Sequence, residues 1–147
     1  MKNAILDLNT VNYLKSFADS SSAGRSLRFD PTTQASSRYG GVFLNWTKQS
    51  EQQYFENMKS KVPSGRTVSL EFLSLVGSPQ GDSSQYNATY QLTVLHTQPN
   101  IANQVRGQSQ FFLITDRSRN WVIWRWVDVQ QSANDSTWSD IKGAFGQ

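Results

Sequence analysis

The sequence predicts an α+β fold in which N-terminal helices pack on a long antiparallel sheet and a short helix ends the chain. Helical periodicity is confined to residues 1–65 and to the C-terminal end. Four long runs of alternating residues lie between these parts, and polar loops separate them. Helices segregated from consecutive hairpin strands are typical of two-layer α+β proteins.

The N-terminal part contains two predicted helices and one short strand. Apolar residues recur at spacings of three and four over residues 3–18, which predicts one helix. Residues 27–30 alternate and indicate a short extended segment, whereas the polar residues 32–41 are expected to be irregular. Thr47 or Ser50 begins a second helix, which the following proline and glycine end.

The alternating runs predict four strands and their connections. The strands are expected at residues 67–76, 85–97, 104–115 and 120–129. The alternation slips at Leu73, which indicates a β-bulge. Residues 77–84 are expected to form a loop, and residues 116–120 a five-residue hairpin connection. Residues 136–145 predict a short helix with Asp140 in its first turn.

Length and composition limit the architecture and the chemistry. The 147 residues contain no internal repeat and no separating linker, so we expect one domain over residues 1–147. Without cysteine and with a single histidine, the chain lacks the residues for disulfides, thiolate nucleophiles and Cys- or His-rich metal sites. No phosphate-binding loop, dinucleotide-binding glycine pattern or nucleophile elbow is present. We therefore expect neither a metal nor another cofactor.

Charge and hydropathy bear on partners and compartment. The net charge of +3 is spread along the chain without a basic block, so nucleic acid is not an expected partner. No apolar run approaches the ~20 residues that a membrane span requires. The compartment stays open between the cytoplasm and export followed by removal of a signal segment.

Two aromatic blocks carry a resemblance to a known family. In "NWTKQSEQQYFENM", Trp46 leads into a helix that carries Glu51, Tyr54 and Phe55, and "NWVIWRWVD" is followed by "TWSDIKGAF". With the order of the elements, these blocks resemble the nuclear transport factor 2-like (NTF2-like), or cystatin-like, α+β cone superfamily, in particular its uncharacterised bacterial members. The resemblance implies a curved sheet and homodimers that form through a sheet face.

The same resemblance implies several activities. The superfamily includes ketosteroid isomerases, scytalone-type dehydratases, polyketide cyclases, transport adaptors and small proteins without a known activity. Its enzymes place Asp, His or Tyr side chains inside the cone, but this sequence has no catalytic signature. A fold shared by so many functions does not select one of them.

Six residues are candidates for lining a ligand pocket. They are Tyr86, Tyr90, His96, Trp124, Trp126 and Asp128. The two tyrosines and His96 alternate on one face of a strand, where a histidine and a phenol could exchange protons. Asp128 beside indoles could be desolvated and act as a general base. The alternative for each is a structural or solvated side chain.

The tryptophan-rich hairpin is interpreted mainly as core. Trp124 and Trp126 are two residues apart, which predicts that they project to the same face of their strand, with Ile123 and Val127 on the other. One face then packs on the helices and the other on a second subunit or the C-terminal segment. A stacking platform for bases or sugars needs basic residues on the aromatic face, and Arg125 has the opposite parity.

The sequence therefore leads to two functional hypotheses. The first is a non-catalytic cone-fold domain that binds a small apolar ligand and dimerises through its sheet. The alternative is an isomerase- or dehydratase-like enzyme that acts on a small hydrophobic substrate through Asp128, His96 and a tyrosine. Whether these polar groups converge in a cavity decides between the two.

Overall fold

The computed structural model covers residues 1–147 and has the predicted α+β architecture, with six helices and a curved sheet of five strands. The helices are α1 (Lys2–Leu6), α2 (Thr10–Leu14), α3 (Ser20–Ala23), α4 (Thr33–Arg38), α5 (Lys48–Ser60) and α6 (Trp138–Phe145). The strands are β1 (Arg28–Asp30), β2 (Val68–Gln80), β3 (Ser83–Val94), β4 (Gln104–Thr115) and β5 (Trp121–Val129).

The sheet is mixed, with the strand order β1-β5-β4-β3-β2. Strands β2 to β5 form the predicted antiparallel meander, including the bulge between Phe72 and Ser74. The short segment predicted from "LRFD" is β1, and it pairs with β5 in parallel, with Phe29 opposite Trp126. The antiparallel sheet expected from the sequence is thus present, and β1, which lies far from β5 in sequence, makes it mixed at this edge.

The connection between β2 and β3 is a tight turn, and the expectation of a loop over residues 77–84 was wrong. Gln80 still pairs with Ser83, which leaves only Gly81 and Asp82 between the strands. Gly81 has φ +60°, the left-handed conformation that two-residue hairpin turns require and glycine adopts easily. The strand residues beside this turn are mostly polar, so the sequence lacks the alternation of apolar residues that would predict strands there.

The N-terminal helices are shorter than predicted. The single helix expected over residues 3–18 is divided into α1 and α2, because Leu8 has φ +49° and the side chain of Asn9 caps α2. The segment over residues 32–41, expected to be irregular, contains α4. The side chain of Thr32 accepts a hydrogen bond from the backbone N–H of Ala35 and caps this helix.

Helix α5 begins after Thr47, one of its two predicted starts, and α6 lies within the predicted segment 136–145. Thr47 and Ser50 form a capping box at the start of α5, and Thr137 and Asp140 form one at the start of α6. Helix α6 contacts α4, α5 and β4, and seven of its 8 residues are buried. It therefore fills the space between the sheet and the other helices. None of the helices has the length and apolar character needed to cross a membrane.

A bulge in β5 separates the two central tryptophans. Phe112 pairs with Arg125 and Leu113 with Ile123, so Trp124 is an extra residue without a partner on β4. We call the side of the sheet that packs on the helices the inner face and the opposite side the outer face. Trp126 lies on the inner face with 0% exposure. Trp124 lies on the outer face against Phe112, so the prediction that the two tryptophans share a face was wrong.

Candidate functional site

A buried ion pair lies at the centre of the molecule. Lys142 of α6 donates a hydrogen bond to Glu51 of α5, and both side chains are 0% exposed. The indole N–H of Trp46 donates to the same carboxylate at 2.7 Å, and the hydroxyl of Tyr13 donates to its second oxygen at 2.8 Å. The carboxylate thus has a partner for each oxygen, as a buried charge requires.

Aromatic rings surround the ammonium group of Lys142. Its nitrogen lies 4.0 Å from the ring centre of Trp126 and 4.3 Å from that of Phe29. These distances are within the range of cation–π attraction. Burial lowers the pKa of Lys142 from 10.5 to about 8, while the charge of Glu51 and its hydrogen bond act in the opposite direction. The ion pair is held in a dry aromatic environment.

A second polar cluster joins the inner face of the sheet to α6. The hydroxyl of Tyr90 donates to one oxygen of Asp128 at 2.8 Å and accepts the backbone N–H of Trp138 at 2.7 Å. Ser139 donates to the other oxygen of Asp128 through its N–H at 2.8 Å and its hydroxyl at 2.6 Å. Burial raises the pKa of Asp128, and the hydrogen bonds from Ser139 and Tyr90 oppose that rise.

The six candidate residues lie in four different places. Tyr90 and Asp128 form the cluster just described, and Trp126 lies beside it through its contact with Trp138 at 4.5 Å between ring centres. Tyr86 lies further along the inner face, and Trp124 lies on the outer face. His96 lies outside the cluster, as described next.

His96 organises the loop that follows β3. Its Nδ1 accepts the backbone N–H of Gln98 at 3.1 Å, its Nε2 faces the carbonyl of Ala102 at 3.4 Å, and its ring packs edge-on against Phe145. Burial lowers the pKa of His96. The position of His96 is therefore explained by a neutral ring that contacts two nearby backbone groups.

Sequence reasoning missed the central ion pair. From the sequence, Glu51 stands out only as part of an aromatic helix, and Lys142 does not stand out. Both stand on the apolar stripe of their helices: Glu51 lies three and four residues before Tyr54 and Phe55, and Lys142 lies three before Phe145. A charged residue at such a position is the signal that could have identified the pair.

An apolar groove lies further along the inner face, beside α1. Its volume is about 210 Å³, and all seven lining residues are hydrophobic. They are Met1, Phe72, Leu75, Tyr86, Phe111, Leu113 and Ile123. Leu75 is 51% exposed at the rim, whereas Phe111 is 4% exposed. The groove is therefore open to solvent, and Tyr86 carries the only side-chain group in its lining that could exchange a proton.

The structure contains no group of three or more His, Cys, Asp or Glu side chains with the spacing of a metal site. What the arrangement offers is two closed polar clusters inside the molecule and an open apolar groove beside them.

Comparison with solved structures identifies the fold of this chain. No family model matches the sequence, and no curated protein matches it. A protein of unknown function with a cystatin-like fold from Nostoc punctiforme is 12% identical, with a TM-score of 0.56 over 90% of this chain and 85% of that one. An NTF2-like protein of unknown function from Pseudomonas putida is 10% identical, with a TM-score of 0.57 over 86% and 76%.

A third similar structure belongs to a protein described by its likeness to an enzyme. A ketosteroid isomerase-like protein from Erwinia carotovora atroseptica is 12% identical, with a TM-score of 0.53 over 88% of this chain and 87% of that one. At such identities the similarity establishes the fold and leaves the function open. The resemblance inferred from the aromatic blocks is thus confirmed for the fold: the chain has the cystatin-like, NTF2-like α+β architecture.

Proposed function

We propose that this protein is a non-catalytic cone-fold domain that binds a small apolar ligand in the groove on its inner face. The observation that carries the proposal is the wholly hydrophobic lining of an open groove of about 210 Å³. Pockets for drug-sized ligands measure roughly 300–1,000 Å³. A groove below that range suits a small apolar molecule or a short acyl or alkyl chain.

The closed interior supports a non-catalytic role. Asp128 and Tyr90 are the pair that an isomerase- or dehydratase-like enzyme could use, but they are 3% and 0% exposed. Both oxygens of Asp128 already accept hydrogen bonds, two of them from Ser139 of α6. A substrate would have to displace α6 before it could reach either group.

The outer face supports self-association as the second part of the proposal. Val76 and Val129 are 67% and 37% exposed, and they border a shallow concavity on this face. Between them lie the uncharged side chains of Asn87, Thr89, Gln108 and Gln110. Apolar residues around amides, which both donate and accept hydrogen bonds, are suited to a two-fold interface in which a surface meets its own copy.

Titration with the neutral fluorophore N-phenyl-1-naphthylamine tests the groove. We expect its fluorescence to rise on binding and to fall again when n-decanol displaces it. The variant L75E should abolish this signal, because a carboxylate at the rim would have to be desolvated beside the ligand. Leu75 is exposed, so the substitution should leave the fold intact, which far-UV circular dichroism would verify.

The variant L44E is the matched control. Leu44 is 82% exposed and does not line the groove, so the same change of charge there should leave binding unaltered. Equal binding by wild type and L75E would contradict the assignment of the groove, and so would equal losses in L75E and L44E.

A further inference from the structure

An arginine–aromatic cluster lies on the outer face of the sheet. The guanidinium of Arg25 lies 4.7 Å from the ring centre of Trp124, and that of Arg125 lies 5.3 Å from the ring centre of Phe112. The two rings are 6.1 Å apart. The bulge at Trp124 creates this arrangement, because it brings Trp124 and Arg125, adjacent in sequence, to the same side of β5. Basic residues therefore accompany the aromatic rings, contrary to the parity expected from the sequence.

The cluster has an excess of positive charge. Arg28 and Arg125 share one carboxylate, since their Nε atoms donate to the two oxygens of Asp30 at 2.8 Å and 2.7 Å. Arg25 is exposed and has no ion pair or hydrogen-bond partner in the chain. Two of the three arginines thus share a single carboxylate, and the third, Arg25, lies over the ring of Trp124 without a carboxylate partner. Stacking on a ring leaves the N–H edge of a guanidinium free to bind an anion.

A cavity of about 340 Å³ adjoins this cluster. Its aromatic walls are Phe112 and Trp124, and Arg25 is its only charged residue. The β2–β3 hairpin contributes uncharged donors and acceptors, because Ser78, Gln85 and Phe112 form one row across the outer face, and Gln80, Ser83 and Ile114 form the next. The cavity combines an aromatic wall, one free cation and a rim of amides and hydroxyls.

We propose that this cavity binds a planar aromatic anion. The rings of Trp124 and Phe112 are tilted by 58° to each other, so the ring system of the ligand stacks on one member of the cluster, as bases stack on aromatic side chains and guanidinium planes, and contacts the other ring at an angle. Its carboxylate or phosphate accepts hydrogen bonds from the free edge of Arg25. A volume near the lower end of the usual range for ligand sites limits the occupant to one mono- or bicyclic ring system. An aromatic carboxylate and a nucleoside monophosphate share this chemistry.

The indole N–H signal of Trp124 in a ¹H–¹⁵N NMR spectrum is the readout. It is assigned by its absence in the variant W124F. We expect 2-naphthoate, adenosine 5′-monophosphate or both to shift this signal with saturation, and the tighter of the two identifies the class of anion. Inorganic phosphate lacks the ring and 2-naphthol lacks the charge, so each should bind at least about tenfold more weakly, a difference of about 1.4 kcal/mol.

The variant R25Q should weaken binding of the better probe by about tenfold or more, because the charge-assisted hydrogen bonds are lost. R66Q is the matched control, since Arg66 is also exposed and does not line the cavity. Three results would overturn the proposal: no shift of the Trp124 signal at millimolar probe, equal weakening by R25Q and R66Q, or equal binding of phosphate alone. A Trp124 signal that depends on protein concentration but not on probe would also overturn it, in favour of a second copy on this surface.

Discussion

The largest electrostatic energies in this molecule lie in the buried ion pair at its centre. Lys142 and Glu51 are fully buried, and Trp46 and Tyr13 complete the hydrogen bonds of the carboxylate. Removing two charges from water is costly, and their attraction offsets that cost only when the geometry is good and the remaining hydrogen bonds are made. The pair is therefore more sensitive to the loss of one partner than to the loss of both charges.

The variant K142M should lower the free energy of unfolding by about 3–5 kcal/mol, because it leaves the Glu51 carboxylate charged and buried without a cation. The double variant E51Q/K142M should be more stable than K142M, since glutamine removes the charge but keeps an oxygen that can accept from Trp46 or Tyr13. Urea denaturation of the wild type and both variants measures this. A double variant that is less stable than K142M would contradict the explanation.

The pKa of Lys142 predicts a dependence of stability on pH. In the folded chain the pKa is lowered from 10.5 to about 8, so between these values the unfolded chain binds a proton that the folded chain does not. The free energy of unfolding therefore rises with pH across this window, by up to about 1.4 kcal/mol per pH unit. Urea denaturation from pH 7 to pH 10 should reveal the rise in the wild type.

K142M supplies the reference for this measurement, because every other titrating group is present in both proteins. The difference in stability between wild type and K142M should grow as the pH increases from 8 to 10. A difference that stays constant or shrinks over that range would show that the ammonium keeps its proton, with the attraction of Glu51 outweighing the cost of burial.

Individual elements were predictable from the sequence where their signals are local. Thr47 is one of the two predicted starts of α5, α6 lies within the predicted segment 136–145, and the slip in alternation at Leu73 marks a bulge. Features that depend on partners distant in sequence were not predictable. The parallel pairing of β1 is one of these. The bulge at Trp124 is another, because it shows only against the register of β4.

The same distinction applies to the candidate site. For Asp128 the sequence leaves two alternatives open, a desolvated general base near indoles and a structural or solvated side chain; in the structure burial raises the pKa of Asp128. Its partners could not be inferred, because Ser139 lies in α6 and Tyr90 in β3, and only the packing of α6 brings them together. The packing of α6 thus determines whether Asp128 and Tyr90 have hydrogen-bond partners in the interior.

The docking of α6 on the sheet predicts a structural role for Asp128. The variant D128N should lower the free energy of unfolding by about 1–3 kcal/mol, because an amide group then faces a donor from Ser139 or Tyr90. D82N in the exposed β2–β3 turn is the control and should be neutral. Thermal and urea denaturation measure both. A D128N protein as stable as the wild type would favour the enzymatic alternative, in which this carboxylate is kept for a substrate.

At the scale of the whole molecule, the two faces of the sheet differ in what covers them and in their side chains. Helix α6 and the N-terminal helices cover most of the inner face and leave the apolar groove beside α1. The outer face has uncharged polar side chains at its centre and the arginine–aromatic cluster towards one end. The proposed groove for an apolar ligand and the proposed surface for self-association therefore lie on opposite faces of the sheet.

Self-association through the outer face predicts a dimer with twice the 16.6 kDa mass of the chain, measured by light scattering after size-exclusion chromatography. The variant V76E should shift the protein to the monomer, because two-fold symmetry would bring a pair of carboxylates into an interface of amides and apolar residues. L44E introduces the same charge at an exposed leucine that does not line this concavity and should remain dimeric. A monomeric wild type at micromolar concentration, or equal effects of V76E and L44E, would exclude this interface and leave the groove to be tested on the single chain.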